Sequence, residues 1–442
     1  MNPLGWMRAP EESLAQWGEL VALARAVNAD GFSRTLVCGM GGSSLVAEVL
    51  AETFRVPSLH VLDSTNPAAV LAAAPDADIP STLFVISSKS GNTVETLAFC
   101  HYFTARARAR QFVAITETDS PLAALARERG FRALIPHPPD VGGRFSALTA
   151  VGMLPAALGG VDGRELLARA RRVDIDAAKA LGRTLGEAAR AGRDKLGVSP
   201  PSSIAGLASW IEQLVAESSG KDGRGIIPIV QDPVRASLPD TQTADPSDFS
   251  GDPLDLGAEF LRWEYATASL CDVLGVNAFN QPDVEEAKKH ARAELEAVKA
   301  RGGAQQVVPL RTLTLPQLRS GARPGDYFAI LAYVPPTPAV FAQLQELRAA
   351  WGRALGCATT VGFGPRYLHS TGQLHKGGPA SGLFLVITTD TSADIEIPEM
   401  ATSFGALHRA QARGDIRALL ARQRRVAHVH LSSVAELSQI RP

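Results

Sequence analysis

Neither sign of charge dominates this chain: 44 Lys and Arg face 45 Asp and Glu, for a formal net charge of -1. Without a general field there is no bulk attraction to nucleic acid or to an acidic membrane surface, so neither is expected as a partner. Ligands are expected in a pocket. Cysteine is scarce, and Cys38, Cys100, Cys271 and Cys357 lie far apart in or near apolar runs, without paired metal-ligand spacing. They read as reduced core thiols, which points to a cytoplasmic location. There is no uncharged apolar run of about 18 residues, and the start MNPLGWMRAPEES lacks a basic segment followed by an apolar one. Both absences argue against secretion and membrane spanning.

What is present is a length of 442 residues, comfortable for two or three cores, and an alternation of strands and helices. Strands are predicted over Thr35–Cys38, Leu59–Leu62, Thr82–Ser87, Phe112–Thr116 and Phe131–Ile135. Helices are predicted over Ser44–Phe54, from Val94 to near Ala109, and around Leu122–Arg127. That pattern calls for an α/β fold with a parallel sheet and ligand loops at the strands' C-terminal ends. Helical sequence over Glu165–Arg193 and Leu256–Leu274 brackets a region of Pro, Asp, Ser and Thr from Asp232 to Pro253, expected as an exposed loop. From Val307 the β-then-α pattern restarts and runs to the strand-like RVAHVHL. The expected architecture is two lobes, residues 1–160 and 161–304, plus a C-terminal α/β subdomain, residues 305–442.

Leu83 to Thr96 reads LFVISSKSGNTVET and places Ser87, Ser88, Ser90, Thr93 and Lys89 between a strand and a helix. A helix start leaves backbone N–H groups unpaired, hydroxyls add donors, lysine adds charge, and Gly91 permits a tight turn. An ordinary N-cap needs one hydroxyl, so this loop is read as an anion cradle. Upstream, CGMGGSS at Cys38–Ser44 also joins a strand to a helix, with Gly42 allowing close approach and Ser43 able to donate. Its spacing is not GxGxxG, which disfavours a dinucleotide.

Three further segments carry chemistry, and a fourth reads as a ligand loop. VGGRFSA sets Arg144 beside two glycines, where a guanidinium suits a phosphate or an oxygen that gains charge during reaction. Glu217, in ESSGKDGRG, ends an amphipathic segment at the mouth of a cleft, as a proton-abstracting base would. FNQPDVEEAKK holds Gln281 and Lys288 seven apart, on neighbouring turns of a helix that begins near Pro282. RYLHSTGQLHKGG, with His369 and His375, reads as an irregular polar ligand loop; the histidines have no third ligand at metal-binding spacing.

Together these segments resemble the glucose-6-phosphate isomerase family, whose two lobes are sugar-isomerase (SIS) domains. The resemblance runs from about residue 33 to 290, and the tail is similar to the isomerase half of bifunctional transaldolase/glucose-6-phosphate isomerase proteins. No transaldolase domain precedes residue 33, so that activity is not expected. By the resemblance, Ser88, Ser90, Thr93 and Thr96 hold the substrate phosphate with Gly42 and Ser43 nearby, and Lys89 stands near the sugar. Arg144 would stabilise the enediolate, Glu217 would be the base, and Gln281 and Lys288 come from the second signature, in which Asp283 replaces a common glycine. The histidine segment is absent from its usual place between Glu217 and Gln281. LHSTGQ resembles it, which nominates His369 as ring opener and His375 as second choice. The implied reaction interconverts glucose 6-phosphate and fructose 6-phosphate without cofactor or metal, in a homodimer. The alternatives are a dual phosphoglucose/phosphomannose isomerase and a non-catalytic sugar-phosphate-binding regulator; a sensor would have no use for Glu217, Arg144 and Lys288 together.

Overall fold

The computed structural model describes residues 4–230, 238–244, 252–300, 310–391 and 393–442; side chains at 284, 285, 287, 288 and 297–300 lie outside the described residues. The chain opens with α1 (Ala9–Ala29), which buries Trp17, Leu20, Ala24 and Val27 along one stripe. Strands β1 (Arg34–Cys38), β2 (Leu59–Leu62), β3 (Thr82–Ser87), β4 (Phe112–Thr116) and β5 (Ala133–Pro136) alternate with helices. These are α2 (Leu45–Thr53), α3 (Pro67–Ala73), α4 (Val94–Thr104) and α5 (Pro121–Glu128). The five strands form a sheet in the order β2-β1-β3-β4-β5, parallel throughout. All six residues of β3 are buried, as a parallel strand covered on both faces requires.

Alternation along β1 and β3 divides the core. Val37, Leu83 and Val85 face one apolar cluster with Val46, Val49 and Leu50 of α2, whereas Leu36, Phe84 and Ile86 face another with Phe99 and Phe103 of α4. Neighbouring strands β1 and β3 therefore send their connections to opposite faces, and the crevice between those connections is where a doubly wound sheet takes its ligand. Helix α4 stops at Thr104, short of the expected end, where the Thr104 hydroxyl donates to the Cys100 carbonyl at 2.7 Å.

Three helices follow: α6 (Ala150–Leu158), α7 (Gly163–Ala170) and α8 (Ile175–Arg190). The single helical stretch expected over 165–193 is broken because Asp174 caps α8 by accepting from the Ala177 N–H at 3.0 Å. Next come β6 (Lys195–Val198), α9 (Leu207–Ser219), β7 (Ile227–Val230), β8 (Thr241–Ala244) and α10 (Leu256–Leu274). The strands pair as β7-β6-β8, all parallel. Thr241–Ala244 thus forms a strand inside the region expected as loop, because β6 offers it an edge; the flanking 231–237 and 245–251 lie outside the described residues.

The C-terminal third begins with α11 (Pro282–Ala300), α12 (Leu315–Ser320), β9 (Tyr327–Tyr333), α13 (Pro338–Leu355), β10 (Ala358–Phe363) and α14 (Gly372–Gly377). It ends with β11 (Gly382–Thr389), the short hairpin β12 (Glu396–Ile397) and β13 (Thr402–Ser403), α15 (Phe404–Ala421) and β14 (Arg425–Leu431). The parallel order β10-β9-β11-β14 repeats that of the first four strands. The architecture is therefore α/β, with SIS-type lobes of parallel sheet flanked by helices and a C-terminal α/β unit. We propose domain limits at 160 and 304, which assign a single parallel sheet to every unit; α11 already packs on α15 and α14 across the second limit. Ile397, Phe404 and Leu407 enter the α4-side core of the first sheet, so α15 ties the end of the chain to its first lobe.

All four cysteines are buried. Among the described residues no helix is long and apolar enough to cross a membrane.

Candidate functional site

Two glycine-dependent loops bring the site together. Gly42 faces the segment before Arg144 so closely that a Cβ would lie 2.1 Å from the Gly143 carbonyl oxygen. Gly91 takes φ +63° to turn the serine loop, and a Cβ there would lie 2.5 Å from Ser120 Oγ. The Arg144 segment is thereby seated against the strand-end loop carrying Gly42 and Ser43.

Arg144 is the hub. Its Nη1 lies 3.1 Å from Glu217 Oε1, and both side chains are more than nine-tenths buried. Arg144 also donates from Nε to Ser218 Oγ at 2.7 Å, from Nη1 to Gln281 Oε1 at 3.2 Å, and from Nη2 to the Asn280 carbonyl at 3.2 Å and the Ala278 carbonyl. Three of the expected residues, from regions 144, 217 and 281, thus meet in one cluster. Glu217 Oε2 accepts from Gln213 Nε2 at 3.0 Å, and the same nitrogen donates to the main-chain carbonyl of His369 at 2.8 Å. This brings the histidine loop to the base. The His369 ring turns elsewhere: its Nε2 lies 2.8 Å from Glu95 Oε1, which also accepts from Gln411 Nε2 at 2.7 Å.

In the serine loop, the Ser88 and Thr93 hydroxyls are 3.0 Å apart and Ser90 Oγ donates to Asn92 Oδ1 at 2.7 Å. Thr93 is the N-cap residue of α4 but makes no side-chain cap, so the first-turn amides are not taken by it. Thr96 Oγ1 is buried with no hydrogen-bond partner among the described residues. Lys89 reaches the Pro139 carbonyl at 2.9 Å and lies 3.6 Å from Glu117, at the rim of the loop. Lys288 lies in α11, which starts at Pro282 as the sequence suggests, and its side chain is outside the described residues. Asp283 accepts from Gln373 Nε2 at 2.6 Å while its N–H donates to Gln373 Oε1 at 3.0 Å, which fixes the helix start behind Gln281.

His375 stands apart from this cluster. In place of the irregular loop, residues 366–369 form a 3-10 turn and 372–377 form α14. His375 is 1% exposed, its Nδ1 is 3.0 Å from the Tyr327 hydroxyl, and burial pushes its proton affinity well below the usual histidine range.

Gln213, Glu95 and Lys221 are not found by reading motifs. Gln213 precedes Glu217 by four residues, one helical turn, and that spacing is a sequence signal. Glu95 and Lys221 gain meaning only from burial. Lys221 donates to the Asn277 carbonyl, and desolvation, followed by the Arg144 charge, pushes its amine down to about 7. Among the described residues no group of three or more His, Cys, Asp or Glu is placed to hold a metal.

Over about half of its length the chain is similar to glucose-6-phosphate isomerases. Over 257 residues it is 32% identical to a glucose-6-phosphate isomerase of Gloeothece citriformis, a match covering 49% of this chain and 48% of that one. A probable glucose-6-phosphate isomerase of Haloquadratum walsbyi is 34% identical over 216 residues, covering 44% of this chain and 49% of the relative. The chain spans about half the length of these curated relatives. The crystal structure of a glucose-6-phosphate isomerase from Chlamydia trachomatis has the same fold, with TM-score 0.53 and 20% identity over 67% of this chain and 76% of that one. No family model matches the chain.

Proposed function

We propose that the chain catalyses the reversible isomerisation of D-glucose 6-phosphate and D-fructose 6-phosphate through a cis-enediolate. The observation that carries this reading is the buried Arg144 and Glu217 pair at 3.1 Å, held beside the strand-end loops. The serine loop, with Ser88, Ser90, Thr93 and Thr96, takes the phosphate on hydroxyls and helix-start amides, with Lys89 at its rim. Gly42 and Ser43 form the opposite lip. His369 protonates the ring oxygen to open the sugar, and Lys288 assists on the hydroxyl side. His375, the second choice as ring opener, stands apart from this cluster on Tyr327 and is given no step. Glu217 then takes the proton from C2 and returns it to C1, serving first as base and then as acid. Negative charge accumulates on the substrate oxygen, where Arg144 compensates it; Gln281 and Gln213 hold the guanidinium and the carboxylate in register. The phosphate contacts position the carbons for transfer. The active form is proposed to be a cytoplasmic homodimer.

The test is a coupled assay of fructose 6-phosphate conversion on wild type, Glu217→Gln and His369→Ala, with mannose 6-phosphate run alongside. Loss of a positioned base is expected to cost about a hundredfold or more in kcat while sugar-phosphate binding persists. Folded wild type that binds sugar phosphate without converting it would favour the regulator; equal turnover of mannose 6-phosphate would favour the dual isomerase.

A further inference from the structure

Lys221 is 2% exposed, and its Nζ donates to the main-chain carbonyl of Asn277 rather than to a carboxylate. Burying an ammonium without an anionic partner costs free energy, so packing alone does not account for a lysine here. Its backbone is held without help from the side chain. Residues 221–224 form a tight turn, closed by the Lys221 N–H on the Arg224 carbonyl at 3.0 Å and the Arg224 N–H on the Lys221 carbonyl at 2.8 Å. The Gly223 N–H reaches the Gly377 carbonyl at 2.9 Å, and Gln373 Nε2 donates to the Gly220 carbonyl at 2.9 Å, so α14 fixes the turn from outside. The lysine side chain is left to act on another segment.

That segment is 277–281, which joins α10 to α11 and presents its oxygens to two cations. The Asn277 carbonyl takes Lys221, while the Ala278 and Asn280 carbonyls and Gln281 Oε1 take Arg144. Lys221 thus grips one end of the stretch whose other oxygens seat the guanidinium, and that guanidinium lies 3.1 Å from Glu217. The charged and titratable groups facing the ammonium are Arg144, Glu217, Asp222 and Cys271; burial pushes the Cys271 thiol up to about 12, so it stays neutral. Desolvation, followed by the Arg144 charge, brings Lys221 down to about 7. An ammonium is a stronger donor than an amine, so its grip on Asn277 weakens as pH rises through neutrality.

We propose that Lys221 is a positioning residue, a charged tether that holds 277–281 in place and through it aligns the Arg144 guanidinium with Glu217; its effect on turnover rests on the proposed isomerase activity. The experiment is steady-state kinetics of fructose 6-phosphate conversion from about pH 6 to about pH 8.5 on wild type, Lys221→Met and Lys221→Arg. Hydrogen–deuterium exchange of the peptide spanning 277–281 is measured on the same proteins without substrate. Lys221→Met is expected to lower kcat about tenfold or more at the acid end with little change in KM. The deficit should shrink as pH rises through about 7, where the wild-type ammonium is lost, and the ratio of the two enzymes cancels the ionisation of the substrate phosphate. Lys221→Arg stays charged throughout, so it should recover most of kcat and keep its lead over Lys221→Met at the alkaline end. Exchange of 277–281 should be faster in Lys221→Met and near wild type in Lys221→Arg. Unchanged kcat in Lys221→Met, a deficit equal at every pH, a change confined to KM, or unaltered exchange would overturn the proposal. Exchange needs no turnover, so the two failures separate: wild type that converts no sugar phosphate removes the isomerase activity, whereas unaltered exchange beside normal conversion removes the tether.

Discussion

His369 Nε2 lies 2.8 Å from Glu95 Oε1, joining the first turn of the helix after the serine loop to a turn that follows it by more than half the chain. Gln411 donates to the same oxygen at 2.7 Å and accepts from the Thr65 hydroxyl at 2.7 Å, so the carboxylate is anchored from behind. Glu95 positions the ring that is proposed to open the sugar. Glu95→Gln is expected to lower kcat about tenfold or more with little change in KM, measured in the coupled assay. Wild-type kinetics would show that the pair only fastens the turn.

Gly42→Ala places a methyl group where the Gly143 carbonyl sits, 2.1 Å from the built Cβ. The Arg144 segment must then retreat from the strand-end loop. Overpacking of this kind costs about 1–3 kcal/mol, and the displaced guanidinium should reduce kcat more than it raises KM. Urea unfolding and steady-state kinetics measure the two effects separately.

Lys376 Nζ and Asp415 Oδ1 are 2.5 Å apart with side chains no more than 1% exposed, and the Tyr367 hydroxyl also donates to Asp415. Removing one partner leaves a buried charge uncompensated. Asp415→Asn is expected to destabilise by about 3–5 kcal/mol, whereas Lys376→Met with Asp415→Leu should recover much of the loss. A double variant no more stable than the single one would contradict this.

His408 is 2% exposed beneath Tyr333, and burial lowers its pKa from 6.5 to about 4. The folded state therefore prefers the neutral ring. Stability linked to this residue is fully present above pH 6.5, the unfolded value, and is lost as pH falls toward about 4. The loss amounts to about 3 kcal/mol, and His408→Asn should flatten the acid limb of stability measured by urea titration between those values. An unchanged slope would place the acid sensitivity elsewhere.

Much of the fold is legible locally. Leu59–Leu62, Thr82–Ser87, Phe112–Thr116, Leu256–Leu274 and Arg425–Leu431 occupy the ranges their apolar patterns indicate, because a strand or helix buried on a large core must show its period. Thr241–Ala244 and the short α14 are not legible, since neither carries enough apolar residues to declare itself without the partner it docks on. Gln213 shows the same limit within the site: its helical spacing from Glu217 is readable, but its bond to the His369 carbonyl requires a turn far away in the chain.

By itself the sequence determined the strands and helices, the hydroxyl-rich loop at a strand end, and which side chains have the chemistry to hold phosphate or move a proton. These are local properties, set by residue type and spacing. Only the tertiary structure decided that Arg144 pairs with Glu217, that Glu95 receives the His369 ring, and that His375 is buried against Tyr327. Such choices depend on which segments share a buried, low-dielectric space, and that follows from how the sheets and helices pack over the whole chain.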